Sequence, residues 1–328
     1  MGPLHFNIGL VEFLANHRTP ALTHLFRGAS LVGSSWVYVA LVVLIYVEWD
    51  KRLAMRLSCV VLFTMSLNDI LKIFIANPRP FVQEGTYLKK WAVSPSQAKV
   101  LAAEYSTPSG HAMVAANFYS YLCVFVGNRW FRTAFVLVVV LIGCSRPYLG
   151  VHYVEDVLLG WALGLATALV GARYSESFSA LWERCPYVQQ IAIAVLAGMA
   201  LYMIAVALDG WNRDGQALTI LVYTGLLTGT VIARSLELRI VNFDPRSGSM
   251  AAKILRGVFT LGSVAVVLLL FRMLFAAMAV PIFAPAYLLL YLGYTAAGVA
   301  GMFFAPLLFT RMGLAEKTVE EPESSLRG

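Results

Sequence analysis

Between Lys72 and Asp156 the chain reads KIFIANPRP (72–80), PSGH (108–111) and SRPYLGVHYVED (145–156), three polar stretches set among apolar runs. Lys72, Arg79 and Arg146, two histidines and Asp156 stand at the ends of hydrophobic segments. Charge is costly there unless it is used.

The 328 residues are 59% hydrophobic and 13% charged, with a mean hydropathy of +0.72, whereas a soluble domain carries about 25% charge. Apolar runs able to cross roughly 30 Å of hydrocarbon recur along the chain. They lie near residues 29–47, 57–76, 111–127, 131–145, 152–171, 189–208, 216–233, 256–278 and 284–309. The expected fold is all-α, a polytopic transmembrane helical bundle of about nine spans.

Residues 1–28 read as an N-terminal segment with an interfacial amphipathic helix, on which Phe6, Leu10 and Phe13 or Leu14 share a face. Residues 29–172 form the expected catalytic core, 173–310 an added four-helix membrane region, and 311–328 a disordered cytoplasmic tail. Segment 77–107 is a long loop, with a short surface helix expected over 96–104. No basic region followed by a short apolar run and a cleavage site opens the chain, so no removable signal peptide is expected.

The net charge of +7 reads as basic flanking of helices near anionic lipid, and no compact basic tract suggests a nucleic-acid partner. Cys59, Cys123, Cys144 and Cys185 read as small buried hydrophobes. Lysines and arginines divide 15 to 10 between the two sides of the threaded chain. The basic side is cytoplasmic. The three motifs then face periplasm or lumen, in a bacterial inner membrane or an endoplasmic reticulum, and the C-terminus faces the cytoplasm.

Threaded this way, all three motifs emerge on one membrane face. Two arginines and a lysine there make an anion cradle: arginine offers a planar fork matched to phosphate oxygens, and lysine adds a mobile point charge. Ser109 and Gly110 open a helix and present a hydroxyl and backbone N–H groups to the same anion. His152 and Asp156 are four apart on one helical face, so the carboxylate can hold one ring nitrogen and leave the other to attack phosphorus. His111, opening another helix, is placed to protonate the leaving oxygen. Three cations supply the neutralising charge, so neither metal nor cofactor is required. Asp69, one turn from Lys72, is a candidate to hold that amine, and Tyr148 a candidate substrate contact. Arg272, deep in the eighth span, is either a contribution to the site or a packing residue.

A lysine, six residues and Arg-Pro, then Pro-Ser-Gly-His, then Ser-Arg, five residues, His, three residues and Asp resembles the three signature motifs of the type 2 phosphatidic acid phosphatase superfamily. Lys72, Arg79 and Pro80 fill the first, Ser109, Gly110 and His111 the second, and Ser145, Arg146, His152 and Asp156 the third. The resemblance covers roughly residues 25–172 and implies a six-helix membrane core. It also implies that His111 is the general acid and His152 the nucleophile. The added helices are similar in layout to the glucose-6-phosphatase and sphingoid-phosphate phosphatase branches.

The expected activity is hydrolysis of a phosphate monoester or diphosphate of a membrane lipid through a phosphohistidine. The expected partners are the bilayer and a lipid phosphate that enters between helices. A soluble sugar phosphate, or transfer of the phosphoryl group to another acceptor, would use the same residues. A transporter or scaffold is the reading from another class, and it would call for paired halves with matching interrupted helices. The two halves of this chain look unlike each other.

Overall fold

The computed structural model describes residues 4, 6–83, 101–210, 217–277 and 284–318. Helices in chain order are α1 (Gly9–Asn16), α2 (Pro20–Val32), α3 (Ser35–Glu48), α4 (Lys51–Ile75), α5 (Pro80–Gln83), α6 (Gly110–Phe125), α7 (Arg129–Leu149), α8 (Val154–Arg184), α9 (Tyr187–Leu208), α10 (Ala217–Leu236), α11 (Met250–Ala277), α12 (Ala284–Val299) and α13 (Ala305–Arg311). A π-helical turn at Glu237–Val241 extends α10, and one at Ala300–Phe304 joins α12 to α13. Much of the loop expected over 77–107, with the start of its short helix and Lys89, Lys90 and Lys99, lies outside the described residues, as do residues 319–328 of the tail.

Among the described residues seven helices are long and apolar enough to cross a bilayer, or eight if α2 and α3, bent by 54° at their break, form one span. The expected third span is α6, which has 16 residues. At 1.5 Å per residue it falls short of roughly 30 Å of hydrocarbon. It is buried along most of its length by protein.

The chain divides into two compact units, residues 1–39, 56–186 and 195–224 in one and 40–55, 187–194 and 225–328 in the other. The division does not fall at the expected boundary between 172 and 173. One reason is that Ala205, Ala217 and Ile220 bury against Ile73 of α4, with Ile70 and Leu201 packed around them.

In the first unit α8 lies along α6 because Gly160 and Gly164 carry no side chain. A Cβ at Gly164 would stand 2.2 Å from the Met113 carbonyl oxygen, and one at Gly160 2.9 Å from that of Ser109. This small-xxx-small spacing lets two helix backbones meet. It brings the start of α8, with Asp156, against the start of α6, with His111. Thr19 caps α2 by accepting from the Leu22 amide at 3.3 Å, with Pro20 at the first helical position.

Helix α1 is tied down more firmly than an interfacial helix requires. Val11 is fully buried against Phe81, Tyr148, Leu149 and Val151, while Leu10 and Phe13 are exposed. The expected apolar face is thus divided between protein and surroundings.

The second unit uses the same glycine device: a Cβ at Gly229 would lie 2.2 Å from the Thr295 carbonyl oxygen. Its buried charge is paired. Lys51 Nζ lies 3.0 Å from Glu237 Oε1 and donates to the Phe243 carbonyl, and Tyr46 Oη donates to Glu237 Oε2 at 3.1 Å. The tail expected to be disordered from residue 311 is ordered to Thr318. Asp244 donates to the Glu316 carbonyl at 2.8 Å and Thr318 to that of Asn242 at 2.7 Å, which satisfies backbone groups that a free tail would leave to water. None of the four cysteines is in a disulfide; Cys144 is exposed and Cys59, Cys123 and Cys185 are only partly buried, where burial was expected.

Candidate active site

Three chain segments meet around Asp156. Helix α7 ends at Gly150, whose φ of 78° is the left-handed region that glycine enters without strain, and the chain turns there to deliver His152 ahead of α8. Asp156 sits in the first turn of α8, where its Oδ2 accepts the Tyr153 amide at 2.9 Å. The Ser109 amide donates to the Asp156 carbonyl at 3.0 Å, and Asn68 Nδ2 donates to the Pro108 carbonyl at 3.2 Å. The second motif is thereby pinned between α4 and α8.

The His152 ring is read by its neighbours. Nδ1 lies 3.3 Å from Asp156 Oδ2 and 3.2 Å from Ser106 Oγ, while Nε2 lies 3.1 Å from Arg79 Nη1. A carboxylate on one side and a guanidinium donor on the other assign the proton to Nδ1 and the lone pair to Nε2. Burial first, then Arg79, Arg146 and Lys72, push the imidazole well below the usual histidine range. It is neutral at physiological pH, with its Nε2 lone pair accepting from Arg79.

The cations are buried. Arg79 spends Nη1 also on the Val151 carbonyl at 3.0 Å, Nε on the Glu104 carbonyl at 3.2 Å, and Nη2 on Glu104 Oε2 at 2.7 Å. Lys72 Nζ lies 3.6 Å from the same carboxylate oxygen. Arg146 Nη1 donates to Ser30 Oγ at 2.5 Å, while its Nε and Ser109 Oγ are buried with no hydrogen-bond partner. Buried donors without partners are uncommon, and these two sit on residues of the second and third motifs. His111 is half-buried, with Gly33 against it: a Cβ there would lie 3.2 Å from His111 Cδ2.

Residues 53–180 match the PAP2 superfamily, and residues 221–317 match the transmembrane extension of PAP2 superfamily phosphatases. The chain belongs to the PAP2 superfamily. It is an integral membrane protein and a phosphoric monoester hydrolase of that group, whose relatives by name are lipid phosphatases. Undecaprenyl-diphosphatase of Sulfolobus acidocaldarius is 27% identical over 161 residues, which are 48% of this chain and 73% of that protein. Phosphatidylglycerophosphatase B of Bacillus subtilis is 38% identical over 90 residues, 24% of this chain and less than half, 44%, of that protein. A crystal structure of a PAP2 type phosphatidylglycerolphosphate phosphatase from Bacillus subtilis aligns with 52% of this chain and 84% of its own, at 26% identity and a TM-score of 0.43.

Several of the candidate residues have partners of their own. Tyr148 does not turn toward the cradle: two positions from Arg146 on a helix is the opposite face. Its hydroxyl meets Thr23 Oγ1 at 3.2 Å, and its ring packs on Phe26 at 4.4 Å. Asp69 accepts a short hydrogen bond from the Thr219 hydroxyl, and the ion pair of Lys72 is with Glu104. The Ser109 amide is committed to Asp156, which leaves its hydroxyl and the Gly110 amide for an anion. Arg272 is exposed on α11.

Ser106, Thr107, Asn77 and Glu104 are the site residues that motif reading missed. Ser106 Oγ donates to Asp156 Oδ2 at 2.5 Å and Thr107 Oγ1 to Oδ1 at 2.5 Å. Asn77 Nδ2 donates in turn to Thr107 Oγ1 at 3.0 Å. For Ser106 and Thr107 the sequence signal is adjacency, the run Ser-Thr-Pro leading straight into Ser-Gly-His, and Asn77 lies inside the 72–80 stretch.

Proposed function

We propose that the chain hydrolyses phosphate monoesters or diphosphates of membrane lipids, without a metal, through a phosphohistidine on His152 at the outer membrane face. The observation that carries this reading is the His152 ring, with Asp156 behind Nδ1 and the guanidinium of Arg79 before Nε2. Nε2 attacks phosphorus in line with the leaving oxygen, and the N–P bond forms as the P–O bond breaks. The proton for the leaving oxygen comes from His111, which then takes one from the water that cleaves the N–P bond. Charge on the equatorial oxygens falls to Lys72, Arg79, Arg146, the Ser109 hydroxyl and the Gly110 amide. Asp156 stabilises the positive charge that develops on the ring.

A lipid substrate is favoured because the named relatives act on lipid phosphates, one a diphosphate and one a monophosphate. A substrate held in the bilayer reaches such a site sideways between helices. The basic-residue bias of the connecting segments supports an outward-facing site and a cytoplasmic C-terminus.

The test is a phosphate-release panel in detergent with EDTA present, covering lipid monophosphates, lipid diphosphates and glucose 6-phosphate. The His152→Ala chain serves as blank. Release from a lipid phosphate that persists in EDTA and vanishes in the blank is the expected result. Faster release from glucose 6-phosphate than from every lipid phosphate would overturn the lipid reading, and label appearing on an acceptor would make the enzyme a transferase.

A further inference from the structure

Glu104 belongs to none of the three motifs, yet its Oε2 is 2.7 Å from Arg79 Nη2 and 3.6 Å from Lys72 Nζ, with its own carbonyl receiving Arg79 Nε at 3.2 Å. Two of the three cradle cations thus converge on one carboxylate oxygen. Both cations are buried, at 2% and 8% side-chain exposure, while the Glu104 side chain is 40% exposed and so reaches solvent. Burial alone would raise its carboxyl, but Lys72 and Arg79 outweigh that and hold it below the usual carboxylate range, so it is charged.

Resting on the reading of Lys72 and Arg79 as phosphate ligands, we propose that Glu104 is an internal competitor of the substrate phosphate. Its carboxylate takes the donors that a phosphoryl group needs, and an incoming anion must displace it. A carboxylate and a phosphate edge both accept the parallel donors of a guanidinium. The donors of Arg79 are already divided among Glu104, the Val151 carbonyl and His152 Nε2, so a phosphate can take a pair of them only in exchange.

The consequence is selectivity by threshold. An internal competitor lowers the competent fraction of sites and weakens every anion by the same factor. A doubly charged phosphoryl end, held by three cations, still binds. The singly charged phosphodiester groups that crowd a bilayer surface start weaker and are pushed out of range. Glu104 therefore sets an affinity threshold: it leaves the ratio between anions unchanged but keeps the site from filling with bulk lipid headgroups, and it also speeds release of inorganic phosphate.

The test is direct binding of inorganic phosphate and of phosphatidylglycerol micelles to the full chain carrying His152→Ala, by calorimetry in detergent, with and without Glu104→Gln. Glutamine keeps the size and removes the charge. Phosphate affinity is expected to rise roughly tenfold in the Gln chain, and phosphatidylglycerol binding to become measurable. Equal or weaker phosphate affinity in a Gln chain with an unchanged thermal midpoint would overturn the proposal while leaving the cradle intact. Failure of both chains to bind phosphate would overturn the cradle itself. Should the Gln chain not fold, amide exchange in the Glu104 carrier serves: protection across 101–106 must fall on adding phosphate, and unchanged or increased protection rejects displacement.

Discussion

Arg79 Nη1 lies 3.1 Å from His152 Nε2, on the side of the ring opposite Asp156. The guanidinium proposed to steady the phosphoryl oxygens is therefore within hydrogen-bonding distance of the nitrogen proposed to attack, so in this proposal one residue serves both affinity and alignment. Replacing it with lysine keeps the charge and loses the fork. Arg79→Lys is expected to lower kcat/KM on the order of 100-fold, the usual cost of one transition-state donor, with the chain still folded. A loss below about threefold would remove Arg79 from the reaction.

Acid should affect rate later than an ordinary histidine would suggest. Burial and then Arg79, Arg146 and Lys72 depress the His152 pKa, so the ring stays neutral below the ordinary value of about 6.5. The acid limb of kcat/KM assigned to His152 is expected below that value. Removing the charge of Arg79 relieves one depressing cause and moves the limb upward. For stability the sign follows from proton uptake: below about 6.5 the unfolded chain binds a proton that the folded chain refuses. His152 therefore lowers stability as pH falls through that range. The pH–rate profile of the parent against Arg79→Gln checks both the position and the direction.

Ser106 and Thr107 hold both carboxylate oxygens of Asp156, each at 2.5 Å. Hydrogen bonds to a charged group are worth about 1.5–3 kcal/mol. Thr107→Val, which also strands Asn77 Nδ2, is expected to cut kcat by roughly 10–100-fold with KM little changed, and Thr107→Ser to restore most of it. Loss of kcat that serine does not restore would argue for lost packing instead of a lost hydroxyl.

Gly164 is a fold prediction with a functional reading. A methyl 2.2 Å from the Met113 carbonyl oxygen cannot fit unless α8 moves away from α6. Gly164→Ala is expected to cost about 1–3 kcal/mol, the usual price of overpacking, and to lower activity because His111 and Asp156 ride on those two helices. Thermal unfolding in detergent measures the first and phosphate release the second. Tyr148→Phe is the contrast: its hydroxyl meets Thr23 and Thr19, so activity should hold while stability drops by about 1 kcal/mol.

The motifs were legible because chemistry restricts residue type: a phosphate cradle needs arginine and lysine, and an oriented imidazole needs a carboxylate one turn away. The membrane class was legible from apolar runs. What stayed hidden depends on position more than on type. Ser106 and Thr107 look like any loop hydroxyls until folding sets them on Asp156, and Glu104 looks like one more loop charge until Lys72 and Arg79 converge on it. Tyr148 meets Thr23 because two positions from Arg146 is another helix face, which proximity in sequence does not reveal. The third span, α6, is apolar for the sake of protein neighbours more than of lipid, and hydropathy does not separate the two. The glycines at 160 and 164 are in plain view, and what they approach emerges only with the packing.

The central claim is that His152 Nε2 forms a bond to phosphorus. The most direct measurement is rapid quench of the parent enzyme with a lipid phosphate labelled in the phosphoryl group, followed by peptide mapping under alkaline conditions that preserve phosphohistidine. The account predicts acid-labile label on the peptide containing His152, formed and discharged at rates compatible with turnover, and absent from His152→Ala. Full turnover with no label on that peptide, or label and activity persisting in His152→Ala, would contradict it.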